Sequence, residues 1–206
     1  MKIISWNLLR LTGATLGEVV SLIERERPDV LLMQEATHHM DGLAEAAGGH
    51  YMRHPLPGNV HGHGLATWSR VPTHKAPAAL ALQRGLLIQR ICQIVDLGDF
   101  VIANVHLSHG QVLNRRQLRR IGQALPLHAA VMGDFNIVGP VKVRGFRDVG
   151  PRQPTHRAAD MIPLRLDRCL VRGLTCTAPG TLAPAQSDHH PISVTLQRPP
   201  AATLAA

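Results

Sequence analysis

Twice along this chain an apolar strand, an amphipathic helix and a second apolar strand follow one another, and each second strand runs into a carboxylate. In the first unit Lys2–Trp6 reads as a strand that ends at Asn7. A helix begins at about Thr15, where Thr15 and Glu18 have capping-box spacing and Leu16, Val19, Val20 and Ile23 recur at helical intervals. Pro28 stops it, and Val30–Met33 is a short buried strand that leads into Gln34 and Glu35. In the second unit Phe100–Val105 is a strand ending at His106. A helix from about Val112 to Leu125 carries Leu118, Ile121 and Leu125 on one face, before Pro126. Ala129–Met132 then runs into Gly133, Asp134, Phe135 and Asn136.

A strand–helix–strand unit joins parallel strands through a right-handed crossover. Parallel strands place their carboxyl ends on one edge of the sheet, where the sites of α/β proteins collect. Asn7, Glu35, His106 and Asp134 all stand at such ends. The residues alone therefore predict an α/β fold with four chemically useful side chains along one rim.

The rest of the chain reads as support. Gly62–Ser69 and Leu86–Leu97 are expected strands, joined by loops around Pro72 and Pro77. An arginine-rich loop spans about Gly139 to Pro163, and Leu164–Val171 and Ile192–Leu196 close the pattern as strands. With 206 residues, one domain over 1–198 is expected, followed by a disordered tail at 199–206. No apolar run approaches the ~20 residues needed to cross a bilayer. The first residues are too short for a secretion signal, so a cytoplasmic location is expected. Cys92, Cys169 and Cys176 lack the spacing of a disulfide frame or a cysteine zinc site. The net charge of +8 is mostly arginine, which suits a polyanionic partner without specifying one. Arg115, Arg116, Arg119 and Arg120 lie opposite the apolar face of the second helix and read as a solvated face.

Five blocks carry the chemistry: Ser-Trp-Asn at Asn7, Met-Gln-Glu at Glu35, Asn-Val-His-Leu at His106, Gly-Asp-Phe-Asn at Asp134 and Asn136, and Ser-Asp-His at Ser187, Asp188 and His189, with Asp167 in Arg-Leu-Asp-Arg before the last. In this order they resemble the signature of the endonuclease/exonuclease/phosphatase superfamily. That group includes DNase I-like nucleases, abasic-site endonucleases, sphingomyelinases and inositol phosphatases. The resemblance runs from Lys2 to about Leu196. It implies a two-sheet β-sandwich flanked by helices, a four-layer DNase I-like fold.

By that resemblance Glu35 is a metal ligand, supported by Asn7 and by Asp188, for Mg²⁺ or Mn²⁺. Hard cations of this kind take carboxylate oxygens and substrate phosphate. Asp134 and Asn136 match the pair that positions the attacking water, and His189 matches the catalytic histidine, with Asp167 as its partner. His106 matches a second histidine that faces the phosphate or the leaving group. Arg144, Arg147 and His156 in the long loop are candidate phosphate contacts. The implied activity is hydrolysis of phosphodiester bonds, with a nuclease acting on DNA or RNA as the first reading. The alternative is a phosphatase or phosphodiesterase acting on lipid head groups or small phosphoesters. In abasic-site endonucleases an aspartate often follows two residues after the Trp-Asn asparagine; here that position is Leu9.

Overall fold

The computed structural model describes residues 1–10, 12–58, 62–85, 88–158 and 162–200. One six-stranded sheet contains β1 (Lys2–Asn7), β2 (Val30–Ala36), β3 (His50–Pro55), β4 (Gly64–Ser69), β13 (Thr175–Thr181) and β14 (Ile192–Gln197). Its strand order is β13-β14-β1-β2-β4-β3. The other six-stranded sheet contains β5 (Lys75–Ala81), β6 (Ile91–Asp96), β7 (Val101–His106), β8 (Ala129–Asp134), β9 (Arg147–Asp148) and β12 (Asp167–Arg172). Its order is β5-β6-β7-β8-β12-β9. A small ribbon, β10 (His156–Ala158) with β11 (Ile162–Leu164), stands apart from both. The helices are α1 (Leu16–Glu26), a short α2 (Leu43–Ala47) and α3 (Leu113–Ala124).

Both crossover units form as expected. β1 pairs in parallel with β2, and β7 with β8, while the other described pairs are antiparallel. Thr15 caps α1: its backbone N–H donates to Glu18 Oε2 at 2.7 Å, and its hydroxyl accepts from the Glu18 N–H at 3.3 Å. At the other end Arg27 turns left-handed and donates its N–H to the Ile23 carbonyl. That turn ends the helix one residue before Pro28.

Alternation along the central strands builds the layers. Ile3, Val30 and Leu32 face Ile102, Ala130 and Met132 in the core between the sheets. Their neighbours Ile4, Trp6, Leu31 and Met33 face outward and pack on Val19, Leu22 and Ile23 of α1. Val105 and Val131 likewise pack on Leu118 and Ile121 of α3. The result is helix, sheet, sheet, helix. Gly133 can only be glycine, because its φ is +141° and a Cβ there would stand 2.1 Å from the Val105 carbonyl oxygen.

Several expectations shift. The strand read over Leu86–Leu97 is β6 from Ile91; residues 86 and 87 lie outside the described residues. The strand read from Gly62 starts at Gly64, and that read from Leu164 starts at Asp167. β3, β5 and β13 were not legible, because their partners make them strands. β5 is an exposed edge whose register shifts around Pro77, where no donor is required. The long loop contains β9 and β10. Of the expected tail, residues 201–206 lie outside the described residues.

A buried ion cluster ties that loop to the rim. Asp148 accepts two bonds from Arg165, at 2.8 and 2.7 Å, and a third from Arg168 at 3.2 Å. Arg168, only 4% exposed, also donates to the carbonyls of Ile137 and Gly139. Burial tends to raise the Asp148 pKa, but the Arg165 and Arg168 guanidinium groups outweigh it and hold it below the usual carboxylate range. A depressed carboxylate contributes stability that is present above its unfolded pKa of ~3.9 and is lost as pH falls through the folded value. Asp148→Asn is therefore expected to cost about 2–3 kcal/mol at neutral pH. Urea unfolding should show the gap to the wild type narrowing as pH falls below ~4. A pH-independent gap would assign the loss to packing instead.

Candidate active site

The carboxyl ends of β1, β2, β7 and β8 open onto a cleft of about 410 Å³. Asn7, Glu35, His106, Asp134, Asn136, His156, Asp188 and His189 all line it. Asp167 lies just beneath, fully buried and opposite Asp134 in the β8–β12 register.

Glu35 is aimed by its backbone. β2 shifts register against β4 between Gln34 and Ala36, and Glu35 itself sits at φ +57°. A bulge of this kind turns one side chain out of the strand's alternation, and a left-handed glutamate stores local strain. Glu35 Oε2 accepts the Arg10 backbone N–H at 3.1 Å, while Oε1 lies 3.9 Å from His106 Nδ1, beyond hydrogen-bond distance. Burial, then Arg90 and neighbouring histidines, hold His106 well below the ordinary histidine range, so it faces Glu35 as a neutral ring. Among the described residues the carboxylate thus meets a single amide donor, and it is suited to a hard cation.

Asp134 is the hub. It accepts Asn7 Nδ2 at 3.0 Å and the Asn136 backbone N–H at 2.9 Å. It also lies 3.4 Å from His106 Nε2 and 3.8 Å from His189 Nε2. Burial raises its pKa, with His189 pulling the other way. Asn136, another left-handed residue at φ +49°, donates its side-chain N–H to Leu107 O, and its own carbonyl accepts Asn114 Nδ2 at 2.7 Å. The N-terminal part of α3 thereby holds the turn.

His189 donates Nδ1–H to Asp167 Oδ2 at 2.7 Å. Burial would depress its pKa, but Asp167, Asp134 and Asp188 prevail and push it up to about 10. The ring is therefore an imidazolium at neutral pH. Its backbone is held by two residues of the first and last sequence blocks. Trp6 Nε1 donates to the His189 carbonyl at 3.0 Å, and the Ser187 hydroxyl bridges the Asn7 carbonyl at 2.6 Å and the His189 N–H at 3.1 Å. Asp188 pairs with His156 at 3.3 Å, and this contact lowers its pKa.

The loop arginines do not join the cleft. Arg147 lies opposite Val171, which itself pairs with Ala130, four residues or ~13 Å from the rim end of β8. Its guanidinium donates to the Leu174 carbonyl. Arg144 is exposed beside Gly145, which stands against Arg172 near the far end of α3. Sequence spacing from Asn136 suggested the rim, but the chain crosses the sheet before reaching either residue.

Arg90 was missed. It is 4% exposed, precedes β6, and its Nη1 has no hydrogen-bond partner among the described residues. Burial lowers its pKa, opposed by the charges of Asp134 and Glu35. Nothing in Gln-Arg-Ile marks this arginine among so many; its burial does. A polar layer below the site was equally hidden: Gln34 donates to Ser5 and Asn104, and Asn104 donates to Gln93 and to the carbonyls of Met33 and Ala66.

The sequence profile described as the endonuclease/exonuclease/phosphatase family matches residues 4–189. The chain belongs to this family. Family members are hydrolases acting on phosphodiester bonds, and they generally use divalent metals. No curated protein matches the chain. Among solved structures it is similar to a conserved protein of unknown function from Enterococcus faecalis V583, with a TM-score of 0.79 and 19% identity over 97% of this chain and 100% of that one. It is similar to D. rerio TDP2 complexed with a single-strand DNA product, with a TM-score of 0.77 and 17% identity over 96% and 98% of the two chains. The Haemophilus ducreyi cytolethal distending toxin is a third, with a TM-score of 0.69 and 18% identity over 96% and 98%. These likenesses establish the DNase I-like fold of the family member. Among the described residues no helix is long and apolar enough to cross a membrane.

Proposed function

We propose that this family member hydrolyses phosphodiester bonds in nucleic acid, with Mg²⁺ or Mn²⁺ at Glu35. The observation that carries the reading is the meeting of five distant sequence blocks around one cleft, with His189 and His106 both facing Asp134. The TDP2 relative bound to a DNA product supports nucleic acid as the substrate class, as does the +8 charge. Glu35, with Asn7 on the same cleft wall, would hold the cation, whose chemistry is to offset charge on the phosphoryl oxygens, while Asp188 pairs with His156.

The residues divide the remaining work. Asp134, fixed by Asn7 and Asn136, orients the attacking water. His189, held as imidazolium by Asp167, stabilises the crowded phosphorus centre. Neutral His106 faces the leaving oxygen, and His156 borders the phosphate. Arg90 supplies a buried guanidinium toward the same oxygens. Arg90→Ala is expected to lower kcat/KM by about 10²-fold, the scale of losing one preorganised donor. Arg90→Lys should recover only part, since a point charge lacks the planar fork. Wild-type kinetics in Arg90→Ala would remove it from the site.

The experiment for the whole reading is a substrate panel with Mg²⁺ and Mn²⁺. It sets single- and double-stranded DNA and RNA against lipid-head-group and small phosphoesters. Metal-dependent cutting of nucleic acid is the expected result. Turnover of phosphomonoesters or head groups alone would select the sphingomyelinase- or inositol-phosphatase-like alternative.

A further inference from the structure

One group of three metal-type ligands converges among the described residues: His156, Asp188 and His189, with ligand atoms within 4.8 Å of one another. Glu35, the expected hard-cation ligand, is not part of it. The fold builds the trio from two chain segments. An isolated antiparallel bridge joins His156 of β10 to His189, and it brings their rings to a centroid distance of 4.5 Å. Asp188 reaches both rings, with Oδ2 3.3 Å from His156 Nε2 and Oδ1 4.0 Å from His189 Nε2.

A buried atom of this trio, Asp188 Oδ1, has no hydrogen-bond partner among the described residues. Buried polar atoms are rarely left so, because desolvation without a partner is costly. A separation of 4.0 Å is too long for a hydrogen bond. It is close to the spacing of two ligands on one ion, since donors ~2.05 Å from a tetrahedral centre stand ~3.3 Å apart. Closing the set from separations of up to 4.8 Å needs side-chain movements on the order of an ångström. His189 is also prepared for such a bond. Its Nδ1 is committed to buried Asp167 at 2.7 Å, which leaves Nε2 toward the cleft, where an incoming ion takes the place of the Nε2 proton and releases it to solvent. A carboxylate behind a ligating imidazole fixes the ring and strengthens it as a donor.

We propose that His156, Asp188 and His189 form a binding site for a borderline transition-metal ion, Zn²⁺ by its ligand chemistry, distinct from the hard-cation position at Glu35. Two imidazoles with one carboxylate suit Zn²⁺, whereas Mg²⁺ selects oxygen ligands and keeps its waters. The ion takes Nε2 of His189, the atom that faces Asp134 at 3.8 Å. Occupancy therefore removes His189 from the phosphate and inhibits hydrolysis. That consequence rests on the phosphodiesterase reading; the binding does not.

The test is a titration of the full chain with Co²⁺, read by visible absorption, and with Zn²⁺ against a chromophoric chelator. The wild type is expected to bind one equivalent with tetrahedral Co²⁺ bands. His156→Gln and Asp188→Asn should each weaken Zn²⁺ at least about tenfold, the scale on which even supporting residues act. Glu35→Gln should leave Zn²⁺ affinity unchanged. Circular dichroism identifies a variant that has failed to fold, and the other ligand variant then carries the comparison. Unchanged affinity in a folded His156→Gln or Asp188→Asn protein overturns the site. So does loss of Zn²⁺ in Glu35→Gln, or no binding by the wild type. A second arm measures Mg²⁺-supported hydrolysis of bis(p-nitrophenyl) phosphate, where Zn²⁺ inhibition should persist at raised Mg²⁺. Binding without inhibition would leave the site standing and count against His189 as a catalytic group.

Discussion

Replacing His189 with alanine is expected to lower the rate of phosphodiester hydrolysis by roughly 10²–10⁴-fold, the range of a positioned acid–base group. The loss should fall on kcat, because the imidazolium acts on charge that develops only as the bond to the attacking water forms. The same change strands Asp167, which is fully buried and, among the described residues, has no other side-chain hydrogen bond through either oxygen. An uncompensated buried carboxylate costs about 3–5 kcal/mol, so the variant should also unfold more easily in urea. Two variants separate the effects. His189→Gln can still donate to Asp167, so it should recover stability without recovering rate. Asp167→Asn removes the buried charge but loosens the ring, so it should keep much of the stability and lose about 10-fold or more in kcat. If His189→Gln turned over substrate at the wild-type rate, the histidine would have a structural role alone.

Glu35→Gly is expected to behave in the opposite way toward stability. Losing the cleft carboxylate that, among the described residues, rests on a single amide donor should remove several kcal/mol of transition-state stabilisation, about 10³-fold in rate. The backbone, however, sits at φ +57°, a conformation that glycine adopts freely. Relief of that strain is expected to leave the thermal midpoint unchanged or raise stability by up to ~1 kcal/mol. Glu35→Ala keeps the strain and loses the carboxylate, so it should be equally inactive without the gain. Isothermal titration with Mn²⁺ would follow the cation directly. Undiminished Mn²⁺ binding in both variants would move the metal position elsewhere on the rim.

Much of this site was legible because parallel strands have a shared polarity. Asn7, Glu35, His106 and Asp134 end four strands, and the topology brings all four to one cleft. The last sequence block was harder to place by spacing, since Ser187 lies 180 residues from Asn7 and meets it through one hydroxyl. Order and identity of the blocks, rather than periodicity, linked Asp188, His189 and Asp167 to the rim. Arg144 and Arg147 show the limit of proximity along the chain: both follow Asn136 closely, yet Arg147 sits at the opposite end of the sheet. Arg90 shows the converse, an unremarkable residue in a short run that is buried where the charges of Glu35 and Asp134 reach it.

By itself the sequence determined the two crossover units, the faces of their strands and helices, the capping of α1 and the identity of the rim carboxylates and histidines. These depend on periodicity and local chemistry within a few turns or strand lengths, which a chain carries with it wherever it goes. Only the tertiary structure decided which edge strands exist, that His156 stands against Asp188 and His189, that Glu35 is strained, and that Arg90 is buried with its Nη1 unpartnered among the described residues. Those properties come from pairing and burial between segments tens of residues apart, where packing of the two sheets, not local preference, selects the outcome.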